Sequence, residues 1–255
     1  MATVSMGQKT HLELIKSVKL TADFIETDNI GNVYAVSANE VKKMNYDGEV
    51  VLKNSSLAFG DIYSLDASNA LKMLLFFKDL SQASYLDNQL STRGDRLQLD
   101  MMGYSQTTAI CRSYNDGVWV YDQTTFELTR LDEQLNPSAQ SGNLTQILDF
   151  VPHPNYIREY NNWVYVNDPE QGVLVFDWYG SYTKRIPVLD LKKFVIRADK
   201  LFYMKEGILE SYDLKKAQFA QIPLDGLEYI DFSLYDDKLL LITQNLLFIY
   251  RVVVN

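Results

Sequence analysis

Asn161-Asn-Trp-Val-Tyr-Val166 sets two polar residues directly before a short apolar and aromatic run. Asparagine tolerates the backbone of a tight turn, and β-branched and aromatic residues fit a half-buried pleated surface, so the stretch reads as a turn feeding a strand. The signature recurs at Asp28-Asn-Ile-Gly-Asn-Val-Tyr-Ala-Val36, Asp66-Ala-Ser-Asn-Ala-Leu-Lys-Met-Leu-Leu-Phe-Phe77 and Asn115-Asp-Gly-Val-Trp-Val-Tyr121. It returns at Asp199-Lys-Leu-Phe-Tyr-Met204 and Asp236-Asp-Lys-Leu-Leu-Leu-Ile242. The strands open at Val33, Leu71, Val118, Trp163, Leu201 and Leu239, spaced by 38, 47, 45, 38 and 38 residues. A repeat of roughly 40–50 residues is the period of a four-stranded propeller blade.

A second element follows each copy except the last: an apolar residue, then Asp, then usually a turn. It stands at Tyr46-Asp47-Gly48, Leu86-Asp87, Leu131-Asp132, Phe176-Asp177 and Tyr212-Asp213, and lapses at Tyr250-Arg251. Aspartate accepts hydrogen bonds from the backbone just beyond it and glycine supplies positive φ, as a hairpin turn requires. Each unit therefore reads as strands A to D. The fourth runs Ile157–Glu159, Trp163–Val166, Gly172–Phe176 and Tyr182–Val188; the first runs 22–27, 33–37, 40–46 and 50–54. Helical periodicity is nearly absent, and Leu189-Asp-Leu-Lys-Lys193 is the one stretch resembling a helix start.

The ends decide the architecture. The sixth unit stops after a third strand, Leu246–Val253, while an unassigned alternating segment, His11-Leu-Glu-Leu-Ile-Lys-Ser-Val-Lys-Leu20, precedes the first. One strand is missing at one end and one is spare at the other. Pairing them closes a ring and removes an exposed edge. The expected fold is an all-β, six-bladed β-propeller spanning residues 10–255, closed by its N-terminal strand. A seven-bladed ring, with a blade hidden in the long second and third units, and a large β-sandwich are the competing architectures.

The unit from Asp28 to Val36 with Lys43-Met-Asn-Tyr-Asp-Gly-Glu-Val50 resembles an NHL-like blade, and the whole pattern resembles the six-bladed class of NHL-type and low-density-receptor-type propellers. Trp163-Val-Tyr-Val-Asn-Asp-Pro-Glu-Gln-Gly-Val-Leu-Val-Phe-Asp-Trp-Tyr-Gly-Ser-Tyr182 is similar to envelope propellers of Gram-negative bacteria. The resemblance implies a fold rather than an activity, since propellers host both enzymes and scaffolds.

Composition narrows the functions. The net charge is −9, so a duplex-binding surface, which needs clustered Lys and Arg, is not expected. The same balance disfavours docking on anionic lipid, and no apolar run reaches the ~18 residues of a membrane span. Lys184, Arg185, Lys192, Lys193 and Arg197 lie among acids and read as a solvated face. The single cysteine, Cys111, reads as a small buried hydrophobe, and with only His11 and His153 beside it a structural zinc site lacks ligands. Residues 1–9 read as a disordered tail or signal-peptide remnant, which points to a periplasmic or secreted protein, with a cytoplasmic start as the alternative.

No catalytic set emerges, and no cofactor is expected. There is no Gly-x-Ser-x-Gly elbow, and no glycine-rich loop precedes a helix. Glu26, Asp61, Glu159 and Asp231, near first strands, are the carboxylates that a metal-dependent, lactonase-like hydrolase would use in the channel, without a spacing that marks them out from 33 acids. His11, on the closing strand, reads as structural, and His153, between two prolines in the loop entering blade 4, reads as a half-exposed loop histidine rather than a polar group held at the channel mouth. The expected binding residues form two groups on opposite rims. Asn167, Asp168 and Glu170 stand beside His153 and Tyr156 on one rim, and Trp178 with Tyr179 forms an aromatic step on the other. Trp119 and Trp163 are expected between blades. The leading expectation is a scaffold that binds another protein through a rim, exposed aromatics being common interface anchors; a channel ligand site or hydrolase and a carbohydrate-binding propeller are the alternatives.

Overall fold

The computed structural model describes residues 10–45, 47–55 and 60–254; residues 1–9, with the tail expectation placed on them, lie outside this set, as does Tyr46. The chain opens with β1 (Thr10–Lys19). Blade 1 follows as β2 (Phe24–Thr27), β3 (Val33–Ser37), β4 (Glu40–Met44) and β5 (Val50–Asn54). Blade 2 is β6 (Ser64–Asp66), β7 (Met73–Phe77), β8 (Gln82–Leu86) and β9 (Thr92–Gln98), and blade 3 is β10 (Thr107–Arg112), β11 (Val118–Asp122), β12 (Glu127–Leu131) and β13 (Pro137–Gln140). Blade 4 is β14 (Tyr156–Tyr160), β15 (Trp163–Asp168), β16 (Gly172–Asp177) and β17 (Tyr182–Ile186). Blade 5 is β18 (Phe194–Arg197), β19 (Lys200–Lys205), β20 (Ile208–Asp213) and β21 (Gln218–Ile222), and blade 6 has β22 (Asp231–Tyr235), β23 (Lys238–Ile242) and β24 (Leu246–Val254).

Six four-stranded antiparallel sheets result, and the sixth has the order β1-β24-β23-β22. The N-terminal strand completes the last blade, with Thr10 opposite Val254 and Lys19 opposite Leu246, and a bulge between Leu14 and Lys16. The extra length of units 2 and 3 is absorbed by turns around Met101 and by the connection after β13, which carries the short helix α1 (Leu144–Ile147). Leu189–Lys193 forms no helix; it is an extended connection whose Leu191 carbonyl accepts from the side-chain amides of Asn155 and Asn167. Among the described residues no helix is long and apolar enough to cross a membrane.

Burial follows position in the blade. β7 and β11 are buried at every residue, whereas the outer strands β5 and β13 are mostly exposed. A strand with neighbours on both faces is apolar nearly throughout, which is why β7 and β11 lack alternation, whereas β19 keeps buried Leu201 and Tyr203 between more exposed residues. The core consists of clusters between successive blades. Tyr34, Val36, Leu75 and Phe77 join blades 1 and 2, Trp119 and Phe176 join blades 3 and 4, and Ile25, Ala35, Leu240 and Ile249 join blades 6 and 1.

The C–D turns share one mechanism. Asp87 accepts from the amides of Gln89 and Ser91, Asp177 from those of Tyr179 and Ser181, and Asp213 from those of Lys215 and Lys216. In blade 1 the residue in this role is Asn45, not Asp47: its Oδ1 accepts from the amides of Asp47 and Glu49. The A–B turn of blade 4 places Asn161 and Asn162 at positive φ, and blade 5 places Ala198 (φ 47°) and Asp199 there. The left-handed region costs an ordinary L-residue about 1–2 kcal/mol and asparagine less. Ala198→Asn is therefore expected to stabilise the protein by about 0.5–1 kcal/mol, read as a rise of roughly 1–4 °C in thermal midpoint.

Candidate functional site

The first strands line the centre of the ring: β2 packs on β22, and β10 on β14. Their inward side chains build one ion network. Arg158 of β14 reaches across the ring to Asp66 of β6 (Nη1 to Oδ1, 2.8 Å) and to Glu26 of β2 (Nη2 to Oε2, 3.0 Å). Lys193, just before β18, donates to Asp231 of β22 and to the Ile25 carbonyl, both at 2.7 Å, and lies 3.6 Å from Glu26. Asp231 also accepts from the amide of Ile25, and Asp66 from that of Arg112 in β10. Every blade thus contributes a group. Three carboxylates face two cations, and all five side chains are at most 15% exposed.

The two aspartates respond oppositely to burial. At Asp66 burial pushes the carboxyl up, but Arg158 and the donors from Ser68 and Arg112 outweigh it and hold it below the usual range. At Asp231 burial wins over Lys193 and the Ile25 amide, and the carboxyl is raised. Burial also pushes the Cys111 thiol well up, which removes it as a nucleophile.

Lys193 therefore departs from the solvated face expected of it: its side chain is only 10% exposed and is held by channel carboxylates. Of the carboxylates that a channel hydrolase would use, Glu26 and Asp231 reach the channel, where Arg158 and Lys193 hold them. Glu159 points elsewhere, accepting from Ser113 Oγ, the Tyr114 amide and Trp119 Nε1 (2.7 Å) to join blades 3 and 4. Asp61 is exposed beside a small cavity with Asp23 and Lys78. Among the described residues no three or more His, Cys, Asp or Glu side chains are grouped as a metal site.

The rim carrying the D–A and B–C connections holds the first group of expected binding residues. Asp168 accepts from the amides of His153, Glu170 and Gln171, and Asn167 Nδ2 donates to Asn155 Oδ1. The two loops therefore do stand side by side. Asn167 and Asp168 are wholly buried in that task, however, while His153 and Glu170 are exposed and Tyr156 lies inside the channel.

The opposite rim carries the aromatics. Trp178 is 41% exposed and Tyr179 64% exposed, with ring centroids 4.8 Å apart. Trp178 leans at 6.0 Å on Tyr114 of the blade 3 A–B turn. Tyr114 is a fixed platform: Glu159 accepts from its amide, and its carbonyl takes Arg130 Nη2 (2.6 Å), whose guanidinium lies 3.8 Å over its ring. Gly180 (φ +87°) brings the turn against blade 3, where a Cβ would meet the Gln140 backbone at 2.9 Å. Trp163 is not between blades as expected; it opens β15 opposite Asp177 with its ring partly in solvent, and so joins this rim. Tyr114 was not among the expected residues, since its partners come from distant parts of the chain. Trp119 is buried between blades as expected.

No protein-family model matches the chain, and no curated protein matches it in sequence. Among solved structures it is similar to virginiamycin B lyase from Staphylococcus aureus, with 11% identity and a TM-score of 0.66 over 96% of this chain and 100% of that one. It is also similar to BamB from Moraxella catarrhalis, with 9% identity and a TM-score of 0.55 over 94% and 97%. The Pan2 WD40 domain of Neurospora crassa matches with 7% identity and a TM-score of 0.61 over 91% and 79%. At these identities the likeness shows the fold alone.

Proposed function

We propose that this protein is a non-enzymatic interaction propeller that docks another protein on the rim formed by Tyr114, Trp163, Trp178 and Tyr179. The observation that carries the reading is the exposed Trp178–Tyr179 pair on a platform fixed by Arg130 and Glu159. Rigid aromatic groups give contact area at low entropic cost and dominate binding energy where they fill a partner's pockets. The channel carboxylates, engaged by Arg158 and Lys193, are poorly placed for metal-assisted hydrolysis. The resemblance to envelope propellers adds an extracytoplasmic compartment to the proposal, and the NHL-like affinity of blade 1 belongs with it.

The double substitution Trp178→Ala with Tyr179→Ala tests the reading. Tyr179 is 64% exposed and Trp178, resting on Tyr114, 41% exposed, so a modest loss of stability of about 1 kcal/mol is expected. Retention of the partner from native extract is expected to fall by at least about 30-fold, the loss of a ~2 kcal/mol anchor. Undiminished retention would contradict the proposal.

A further inference from the structure

The D–A mouth of the channel opens into a cavity of about 310 Å³, lined by Phe24, Leu65 and Ile230 on its apolar side and by Glu26, Asp231 and Tyr156 at its floor. A second cavity of about 310 Å³ lies at the other mouth, and Glu26 and Tyr156 belong to both. This is the lower end of the volume range of small-ligand sites. Its charge is unbalanced. Lys193 is shared among Asp231, Glu26 and the Ile25 carbonyl, and Arg158 is divided between Glu26 and Asp66, so three carboxylates share two cations. Lys192 is exposed at the mouth, and Asp23 and Tyr63 complete the entrance.

A second observation is independent of the carboxylates. Tyr156 is 9% exposed, and its hydroxyl is buried with no hydrogen-bond partner. A buried phenol without a partner costs about 1–3 kcal/mol, so each such group calls for an explanation. Its neighbours do not supply one: Phe194 lies edge-on to the ring at 5.2 Å, and the Arg158 guanidinium, 5.2 Å from the ring centroid, is committed to Asp66 and Glu26.

We infer that this cavity binds a small organic cation, an ammonium or amidinium head on a compact apolar body. The head sits at the floor against Glu26, Asp231 and Tyr156, which line the cavity together, offsetting the excess negative charge, and the body packs on Phe24, Leu65 and Ile230. The carboxylate excess disfavours an anion of the same shape. The site is on the face opposite the aromatic rim and does not depend on it.

The test is isothermal titration of the full chain with benzylamine and, separately, benzoate. One benzylamine is expected to bind per chain and benzoate not to bind. Tyr156→Phe removes only the unpartnered hydroxyl, so this variant should fold with an unchanged or raised thermal midpoint, yet bind benzylamine about tenfold more weakly, as for the loss of one hydrogen bond to a charged group. Asp231→Asn should weaken benzylamine further, and Trp178→Ala should leave it unchanged. The inference is overturned if benzylamine and benzamidine both fail to bind, or if benzoate binds equally well. Unaltered affinity in Tyr156→Phe, or lost affinity in Trp178→Ala, would also overturn it, the latter because it would place the amine on the rim. Displacement of benzylamine by equimolar calcium would assign the site to a metal instead.

Discussion

A chain lacking residues 10–20 is expected to aggregate rather than fold. Those residues include β1, the outermost strand of blade 6, hydrogen-bonded along β24 from Val254 to Leu246. Their loss strips the ladder from β24 and uncovers the clusters to which Val18, Leu20 and Leu12 contribute between blade 6 and its neighbours. An unpaired apolar strand is a template for pairing with other chains. A relocation separates closure from mere length. Because Thr10 lies opposite Val254, residues 10–19 can be moved behind Val254 through an Asn-Gly hairpin turn. The truncation should run as aggregate in size-exclusion chromatography and the relocated chain as monomer-sized, folded protein. A soluble, cooperatively unfolding truncation would contradict the closure.

Arg158→Met is the second large effect, with an expected loss of about 3–5 kcal/mol at neutral pH, the cost of leaving buried charges without their partner. The methionine keeps an unbranched stem but is shorter, carries no charge and abandons Asp66 and Glu26. The pH dependence carries a sign. In the native protein the Asp66 carboxyl is held below its usual range, so its contribution to stability is complete above the ordinary carboxylate pKa and disappears as pH falls through the depressed value. Without Arg158, burial at Asp66 is no longer offset by its guanidinium, and protonation relieves the variant. The stability gap between native protein and variant, measured by urea unfolding, is therefore expected to narrow from pH 7 to pH 4. A constant gap would mean that Arg158 acts by packing alone.

The ring was legible because its signals are local. Turn chemistry and strand composition repeat at Val33, Val118 and Trp163, and the surplus strand at one end matches the deficit at the other. Errors arose where one local device replaced another. Asn45 does in blade 1 what aspartate does in later blades, which shifted the expected turn onto Asp47. In blade 2 an Asn69 side-chain turn onto Leu71 delays the second strand to Met73. The channel was only half legible. Glu26 and Asp231 could be placed near first strands, but their partners Arg158 and Lys193 come from other blades. Nothing in Tyr156-Ile-Arg-Glu-Tyr160 announces that the arginine points inward to two carboxylates across the ring. The aromatic step of Trp178 and Tyr179 stood out by composition, while its support, Tyr114 stacked under Arg130, exists only once blades 3 and 4 meet.

The most direct measurement of the docking role is site-specific photo-crosslinking in native extract, with a photoreactive phenylalanine analogue at Tyr179 or at Phe219. Both side chains are exposed, but Phe219 lies on the outer strand of blade 5, one blade round the ring from Trp178 and Tyr179. A discrete adduct from position 179, absent from position 219 and abolished by Tyr114→Ala with Trp178→Ala, is the predicted result. Identical adduct patterns from the two positions, or none from 179, would contradict it.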